Sequence, residues 1–179
     1  MGDQGGLTKG RLAGFFTALA SSAVLGIAAG LVWATVAPRP VLEEIARGEA
    51  ELVNAESSAF IAADGWFALI TVVGGLITGV LGYRFLVRRA GSAATAGLIL
   101  GAVAAALLAL WVGENIGLGT YNHLLASSAN GTFFHESLGL GAKSALAFWP
   151  LCTSVVILVA EAGARRDGQT AKPAVGDSP

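Results

Sequence analysis

Three charged residues lie at matching positions, each at the edge of a long apolar segment. Asp64 precedes the run WFALITVV, Glu114 follows LLALWVG, and Lys143 precedes SALAFWPL. A carboxylate inside a membrane is costly and therefore usually functional, as in proton relays and transporters. The same three residues could instead form an ion-paired cluster, or serve as separate anchors that contact water.

A second group of polar residues, His123, His135 and Glu136, lies between Glu114 and Lys143. The adjacent His-Glu pair lacks the second histidine, four residues away, that a zinc protease requires. No serine has a GxSxG context, and Cys152 lies within an apolar run where a thiol is expected to be inert. We therefore expect no catalytic residue, no metal site and no cofactor.

The elements that position these residues are four apolar segments. The chain is 54% hydrophobic and only 13% charged, whereas soluble domains carry about 25% charged residues. A membrane helix needs roughly 20 apolar residues. We predict an all-α membrane protein, a bundle of four helices, with spans at 12–36, 66–87, 93–113 and 144–162.

The depth of Glu114 follows from the length of the third span. Counted from Ala93, 21 residues precede Glu114, and at about 1.5 Å per residue they cover the full hydrocarbon thickness. Trp111 fits the aromatic belt at a membrane interface. Glu114 therefore lies at the membrane boundary, where Asp64 and Lys143 also lie. The favoured interpretation is that the three are independent anchors in contact with water, and the alternative is an ion-pair cluster on the outer rim.

The orientation of the bundle follows from the positions of lysine and arginine, which favour the cytoplasmic side. One side holds eight of them, including Arg84, Arg88 and Arg165, while the other side holds only three, Arg39, Arg47 and Lys143. This asymmetry predicts a plasma-membrane protein with both termini in the cytoplasm. The opposite, outer face carries eight acidic residues.

Two outer loops, 37–65 and 114–143, connect the spans on the acidic side. The segment VLEEIARGEAELV is compatible with a short helix or with a hairpin that turns at Arg47-Gly48, and the central glycine favours the hairpin. Asn130-Gly131 is a turn signal that precedes a possible strand at Thr132-Phe133-Phe134. We expect the two loops to form a small cap, with a short cytoplasmic tail at 1–11 and a disordered one at 164–179.

Small residues recur at four-residue spacing in the first three spans. Such stripes let membrane helices approach closely, since lipid provides no hydrophobic drive between them. They predict intramolecular packing or, alternatively, a surface for a partner protein. In the fourth span, Trp149-Pro150 is expected to kink or weaken the outer half. The helix-packing residues are Gly26, Gly30, Gly75, Gly79, Gly97 and Gly101.

Several motifs together resemble a family of small four-span membrane proteins of actinobacteria, catalogued as a domain of unknown function. The motifs are WATVAPRP, AESSAFIAADGWFALI, RFLVRR, WVGENIG and GLGAKSALAFWPL. The resemblance covers roughly residues 20–163. It implies a bacterial host and a four-span layout, and it implies no catalytic residue.

These observations favour a non-enzymatic accessory or scaffold subunit of the cell envelope. A small transporter or lipid-handling protein is the alternative, although no charge is forced to the bilayer centre. An enzyme that uses Asp64, Glu114 and His135 would need these side chains in one cleft. The expected partners are the lipid bilayer and a membrane protein or a second copy of the chain. The sequence lacks the excess of basic residues that is typical of proteins that bind nucleic acid.

Overall fold

The computed structural model describes residues 4–39, 41–46, 49–52, 58–116, 133–135 and 139–170. The helices are α1 (Gln4–Val36), α2 (Ser58–Gly82), α3 (Arg88–Ala90), α4 (Ser92–Asn115) and α5 (Phe148–Thr170). A π-helical segment, Tyr83–Val87, joins α2 to α3, and a 3-10 helix, Lys143–Ala147, precedes α5. The strands are β1 (Val41–Ala46), β2 (Glu49–Leu52) and β3 (Phe133–His135).

Four of these helical stretches are long and apolar enough to cross a membrane: Lys9–Val36, Ser58–Ala90, Ser92–Asn115 and Lys143–Arg166. The predicted four-helix bundle is therefore confirmed. We call the end that holds Arg11, Arg88 and Arg165 the arginine end, and the end that holds Asp64 and Glu114 the carboxylate end.

The helix ends differ most from the predicted boundaries in three places. Helix α1 begins at Gln4, inside the segment 1–11 predicted as the N-terminal tail. Helix α2 begins at Ser58, inside the predicted outer loop 37–65, because SAFIAAD contains no helix breaker and continues the helix before Trp66. Helix α5 continues to Thr170, so the first residues of the tail predicted as disordered, 164–170, are helical. Arg165 and Glu161 form an i,i+4 pair on this extension.

The stripes of small residues bring α1 and α4 into backbone contact. A Cβ added to Gly26 would lie 2.5 Å from the carbonyl oxygen of Ala105, and one added to Gly30 would lie 2.6 Å from that of Ala109. Gly101 faces Ser22 in the same way. Since a methyl group does not fit at these distances, the glycines are what permits the close approach. Gly97 likewise packs on the backbone of Phe15.

The second pair of helices, α2 and α5, packs through Gly75 and Gly79. A Cβ at Gly75 would lie 2.6 Å from the carbonyl oxygen of Trp149, and one at Gly79 would lie 2.7 Å from the Cβ of Val156. The six glycines named from the sequence thus all lie at contacts within the chain. The opposite face of α5 is exposed, as Leu158 and Val159 illustrate, and is free to contact lipid.

Proline and the 3-10 helix shape the start of the fourth span. Pro150 lies in the first turn of α5, where its missing N–H costs no internal hydrogen bond. The residues before it, Lys143–Ala147, form the 3-10 helix. The weakening expected near Trp149-Pro150 therefore takes the form of a change in helix type.

The strands pair in the order β2-β1-β3, and both pairings are antiparallel. Leu42 of β1 lies opposite Leu52 of β2 on one side and opposite Phe134 of β3 on the other. Segments of both predicted outer loops thus contribute to one sheet. Most of the second loop lies outside the described residues, so the expectation of a cap on the bundle stays a prediction.

Candidate functional site

Asp64 binds the chain just before the fourth span. Its Oδ1 accepts the N–H of Gly141 at 3.0 Å, and its Oδ2 accepts the N–H of Ala142 at 2.8 Å. Asp64 lies on the second turn of α2 and is half-buried. Both oxygens of one carboxylate are therefore used on two successive backbone donors, an arrangement stronger than a bond between neutral groups.

Glu114 holds the preceding residue of the same segment. Its Oε1 accepts the N–H of Leu140 at 3.3 Å, and the Leu140 side chain is buried in the core. Glu114 lies near the end of α4 and is also half-buried. Two carboxylates from two spans thus bind three successive N–H groups of residues 140–142, which we call the clamped segment.

Lys143 follows the clamped segment, but its ammonium group does not complete the ion-pair cluster that the sequence left as an alternative. Within the described part of the chain, Lys143 forms no ion pair with Asp64 or Glu114, and its backbone N–H donates to the carbonyl oxygen of Gly141. The structure therefore brings the two acids to one place and joins them to backbone donors instead of to the lysine. The physical reason is that the N–H groups of residues 140–142 precede the 3-10 helix and need acceptors outside a helix ladder, and the two carboxylates supply them.

Sequence reasoning named the two acids but missed their partner. The available signal was the stretch Gly139-Leu140-Gly141, a flexible run directly before a helix. A Cβ at Gly141 would lie 3.0 Å from the Oδ2 of Asp64. Glycine thus allows the backbone to approach the carboxylate closely.

Trp33 supports the carboxylate end from inside. Its indole N–H donates to the carbonyl oxygen of Ala63, the residue before Asp64, at 2.9 Å. The ring is fully buried, meets Phe67 edge-on at 4.9 Å between centroids, and packs against Gly113, the residue before Glu114. One α1 side chain therefore contacts both helices that carry the acids, and the sequence analysis did not single it out.

Comparison of the chain with protein-family models, curated proteins and solved structures found no match. The resemblance to an actinobacterial family therefore stays an expectation. What the site can do has to be argued from its own geometry.

The other residues whose side chains could take part in catalysis or metal binding are not brought together in the described structure. His135 ends β3, while His123 and Glu136 lie outside the described residues. Among described residues, no group of three or more His, Cys, Asp or Glu side chains could hold a metal ion. Cys152 is a free thiol in α5, against Gly75.

Polar side chains within the spans bond to nearby carbonyl oxygens. The hydroxyl of Thr153 donates to Gly75 at 3.1 Å, and that of Thr78 donates to Gly74 at 2.8 Å while accepting the indole N–H of Trp149 at 3.1 Å. Ser22 bonds within its own helix, whereas the Thr71 hydroxyl contacts carbonyl oxygens of α2 and also that of Ala145, at 3.4 Å. These hydroxyls join or support the helices and carry no charge.

An apolar groove of about 340 Å³ lies between α1 and α2. Its walls are aliphatic, and the buried indole of Trp149 lies among its lining residues. The groove has the length of about two helical turns, from Leu25 to Val32 on α1. Its apolar lining is of the kind that accepts an acyl chain or a neighbouring helix. The lining residues are Leu25, Ala28, Ala29, Val32, Leu69, Ile70, Val73, Gly74, Ile77 and Trp149.

Proposed function

We propose that this chain is a non-enzymatic accessory or scaffold subunit, a multi-pass protein of the plasma membrane with both termini in the cytoplasm. The observation that carries the proposal is the use of Asp64 and Glu114 as acceptors for the clamped segment. The two carboxylates at the carboxylate end are engaged in holding the chain together.

Transport or catalysis would require these carboxylates to exchange a proton or an ion and not to hold a fixed hydrogen bond. A transport carboxylate exchanges a proton or an ion, and an acid–base catalyst exchanges a proton with substrate. If Asp64 released its two N–H partners, Gly141 and Ala142 would lose their described acceptors. The geometry therefore favours a fixed structural role for both acids.

The groove between α1 and α2 is the surface we assign to the partner. Ala28 and Ala29 on α1 offer small side chains of the kind that admit a neighbouring membrane helix. A partner helix packed there would cover Val32 and Leu69. The proposed occupant is one apolar span of another membrane protein.

Lipid handling is the second candidate, and the same groove supports it. The lining is almost wholly apolar, so an acyl chain would satisfy it as well as a helix would. The two candidates differ in what remains bound after purification, a protein or a lipid.

Gentle extraction of the tagged full chain, followed by native mass spectrometry, tests the proposal. We expect a stoichiometric second membrane protein, lost in Ala29→Trp, which fills the groove, and retained in Ala20→Trp, an exposed position on the same helix outside the groove. A homodimer that carries a defined lipid and no partner would overturn the accessory role and support lipid handling.

Orientation is tested separately by cysteine labelling of intact cells in a Cys152→Ser background. A cysteine at Gly10 should react only after permeabilisation, whereas one at Gly139 should react from outside. The reverse pattern would contradict the proposed topology.

A further inference from the structure

A cavity of about 670 Å³ opens at the arginine end, between the start of α1 and the end of the second span. Arg11, Arg88 and Arg89 line it, and no acidic residue is among its described lining residues. Guanidinium groups stay protonated in proteins. We call this site the arginine cavity, and its lining carries three positive charges.

The π-helical segment and the turn after it bring these arginines together. A π-helical turn bonds each N–H five residues back, not four, so it rotates the residues that follow about the helix axis. Arg88 and Arg89 come directly after this segment and line the same cavity as Arg11 of α1. Gly91, at φ 64°, then ends the span in a conformation that favours glycine.

Close packing holds the two sides of the cavity at a fixed separation. A Cβ at Gly14 of α1 would lie 2.5 Å from the Cβ of Ala90. The cavity is therefore part of the helix contact and not a gap between mobile ends. π-helical turns inside helices often mark functional sites.

We propose that the arginine cavity binds the phosphate group of an anionic phospholipid. The planar guanidinium fork matches phosphate oxygens and forms two parallel hydrogen bonds with them. Basic pockets between membrane helices at the headgroup level suit this ligand. The site is independent of the accessory role proposed above.

The apolar part of the lining favours a lipid over a free phosphate ion. Phe85 and Leu86 line the cavity beside the arginines, and Phe85 is 55% exposed. A phospholipid would place its phosphate among the arginines and the start of an acyl chain along Phe85. A free phosphate ion would make no use of that surface.

The one described acid near the cavity already has a partner. Glu161 pairs with Arg165 at 3.5 Å, and both line a neighbouring pocket that Arg88 also lines. Arg165 is therefore not a neutral control, because its loss would leave Glu161 without that partner, beside Arg88. Lys9 is exposed at the same end of the bundle and outside the cavity lining, so it offers a control of the same charge.

The test is a titration of the full chain in detergent with phospholipid, in which native mass spectrometry measures the lipid-bound fraction. Phosphatidylglycerol and phosphatidylcholine with identical acyl chains are the probes. We expect the unmodified chain to bind phosphatidylglycerol about ten-fold more tightly than phosphatidylcholine. Each of Arg11→Gln, Arg88→Gln and Arg89→Gln should weaken phosphatidylglycerol binding roughly five-fold, whereas Lys9→Gln should change it less than about two-fold.

Two further measurements test the role of the guanidinium groups and distinguish a lipid from a free phosphate ion. The double variant Arg88→Lys/Arg89→Lys keeps the charge but removes the guanidinium fork. We expect it to bind phosphatidylglycerol less tightly than the unmodified chain and more tightly than the double variant Arg88→Gln/Arg89→Gln, which is measured beside it. Inorganic phosphate at millimolar concentration should not displace the lipid. Equal binding of the two lipids, an equal loss in Lys9→Gln, or displacement by inorganic phosphate would each overturn the lipid site.

Discussion

The Oδ2 of Asp64 accepts the N–H of Ala142 at 2.8 Å, across 78 positions of the chain. With the second bond from Gly141 to Oδ1, one carboxylate fixes the entry to the fourth span against α2. Because the donors are backbone groups, a side-chain substitution at residue 64 is the change that removes the acceptor and leaves the clamped segment unaltered.

Asp64→Asn should therefore destabilise the protein by about 1–2 kcal/mol. Asparagine offers one acceptor oxygen and places an NH₂ group against the second backbone N–H. The measurement is the midpoint of thermal unfolding in detergent, with the loss of tryptophan fluorescence as the signal. An unchanged midpoint would show that the bonds to the clamped segment contribute nothing.

Glu114→Gln is the matched amide substitution and should leave the free energy of unfolding nearly unchanged. Glu114 accepts a single N–H, that of Leu140, and a glutamine side-chain oxygen can still accept it. Glu114→Ala removes the acceptor and should cost about 1 kcal/mol. Equal losses in the two variants would mean that the charge matters more than the hydrogen bond. The same thermal assay compares them.

Trp33→Phe should lower the free energy of unfolding by about 2 kcal/mol. The change removes the bond to Ala63 and part of a fully buried ring, which leaves a cavity. Trp111→Phe is the control, because Trp111 is 63% exposed and the chemical change is identical. If both variants unfold at the same temperature, Trp33 is not the support described above.

Gly26→Ala should destabilise the contact between α1 and α4 by about 1–3 kcal/mol, since the added methyl group would meet the backbone of Ala105. Gly65→Ala is the control, as nothing lies within 4 Å of a Cβ at that position. Alanine is the better helix former, so this control should be neutral or slightly stabilising. A loss of stability in Gly65→Ala as large as that in Gly26→Ala would argue against steric packing.

Glu161→Gln should change stability by less than about 0.5 kcal/mol. The pair with Arg165 is long, at 3.5 Å, and its side chains are 41% and 80% exposed. Exposed ion pairs gain little because water and salt screen them. A shift of several degrees in the unfolding midpoint would indicate that this pair is buried by a contact outside the described structure.

Sequence periodicity and composition were sufficient to predict the membrane bundle. Four apolar runs of membrane length and the spacing of Gly26, Gly30, Gly97 and Gly101 depend only on local properties of the chain. Hydrophobicity and side-chain size act at every residue independently, so a linear pattern records them. The glycine stripes even indicated which faces of the helices would meet.

The partners of the charged residues were decided by the tertiary structure. The order of residues places Asp64, Glu114 and Lys143 at one depth, but it does not reveal that the acids face backbone N–H groups. The same applies to Trp33 on Ala63 and to the arginine cavity, which joins Arg11 to Arg88 and Arg89. Hydrogen bonds are short and directional, so they depend on helix rotation and on the π-helical turn, which the amino-acid pattern does not specify.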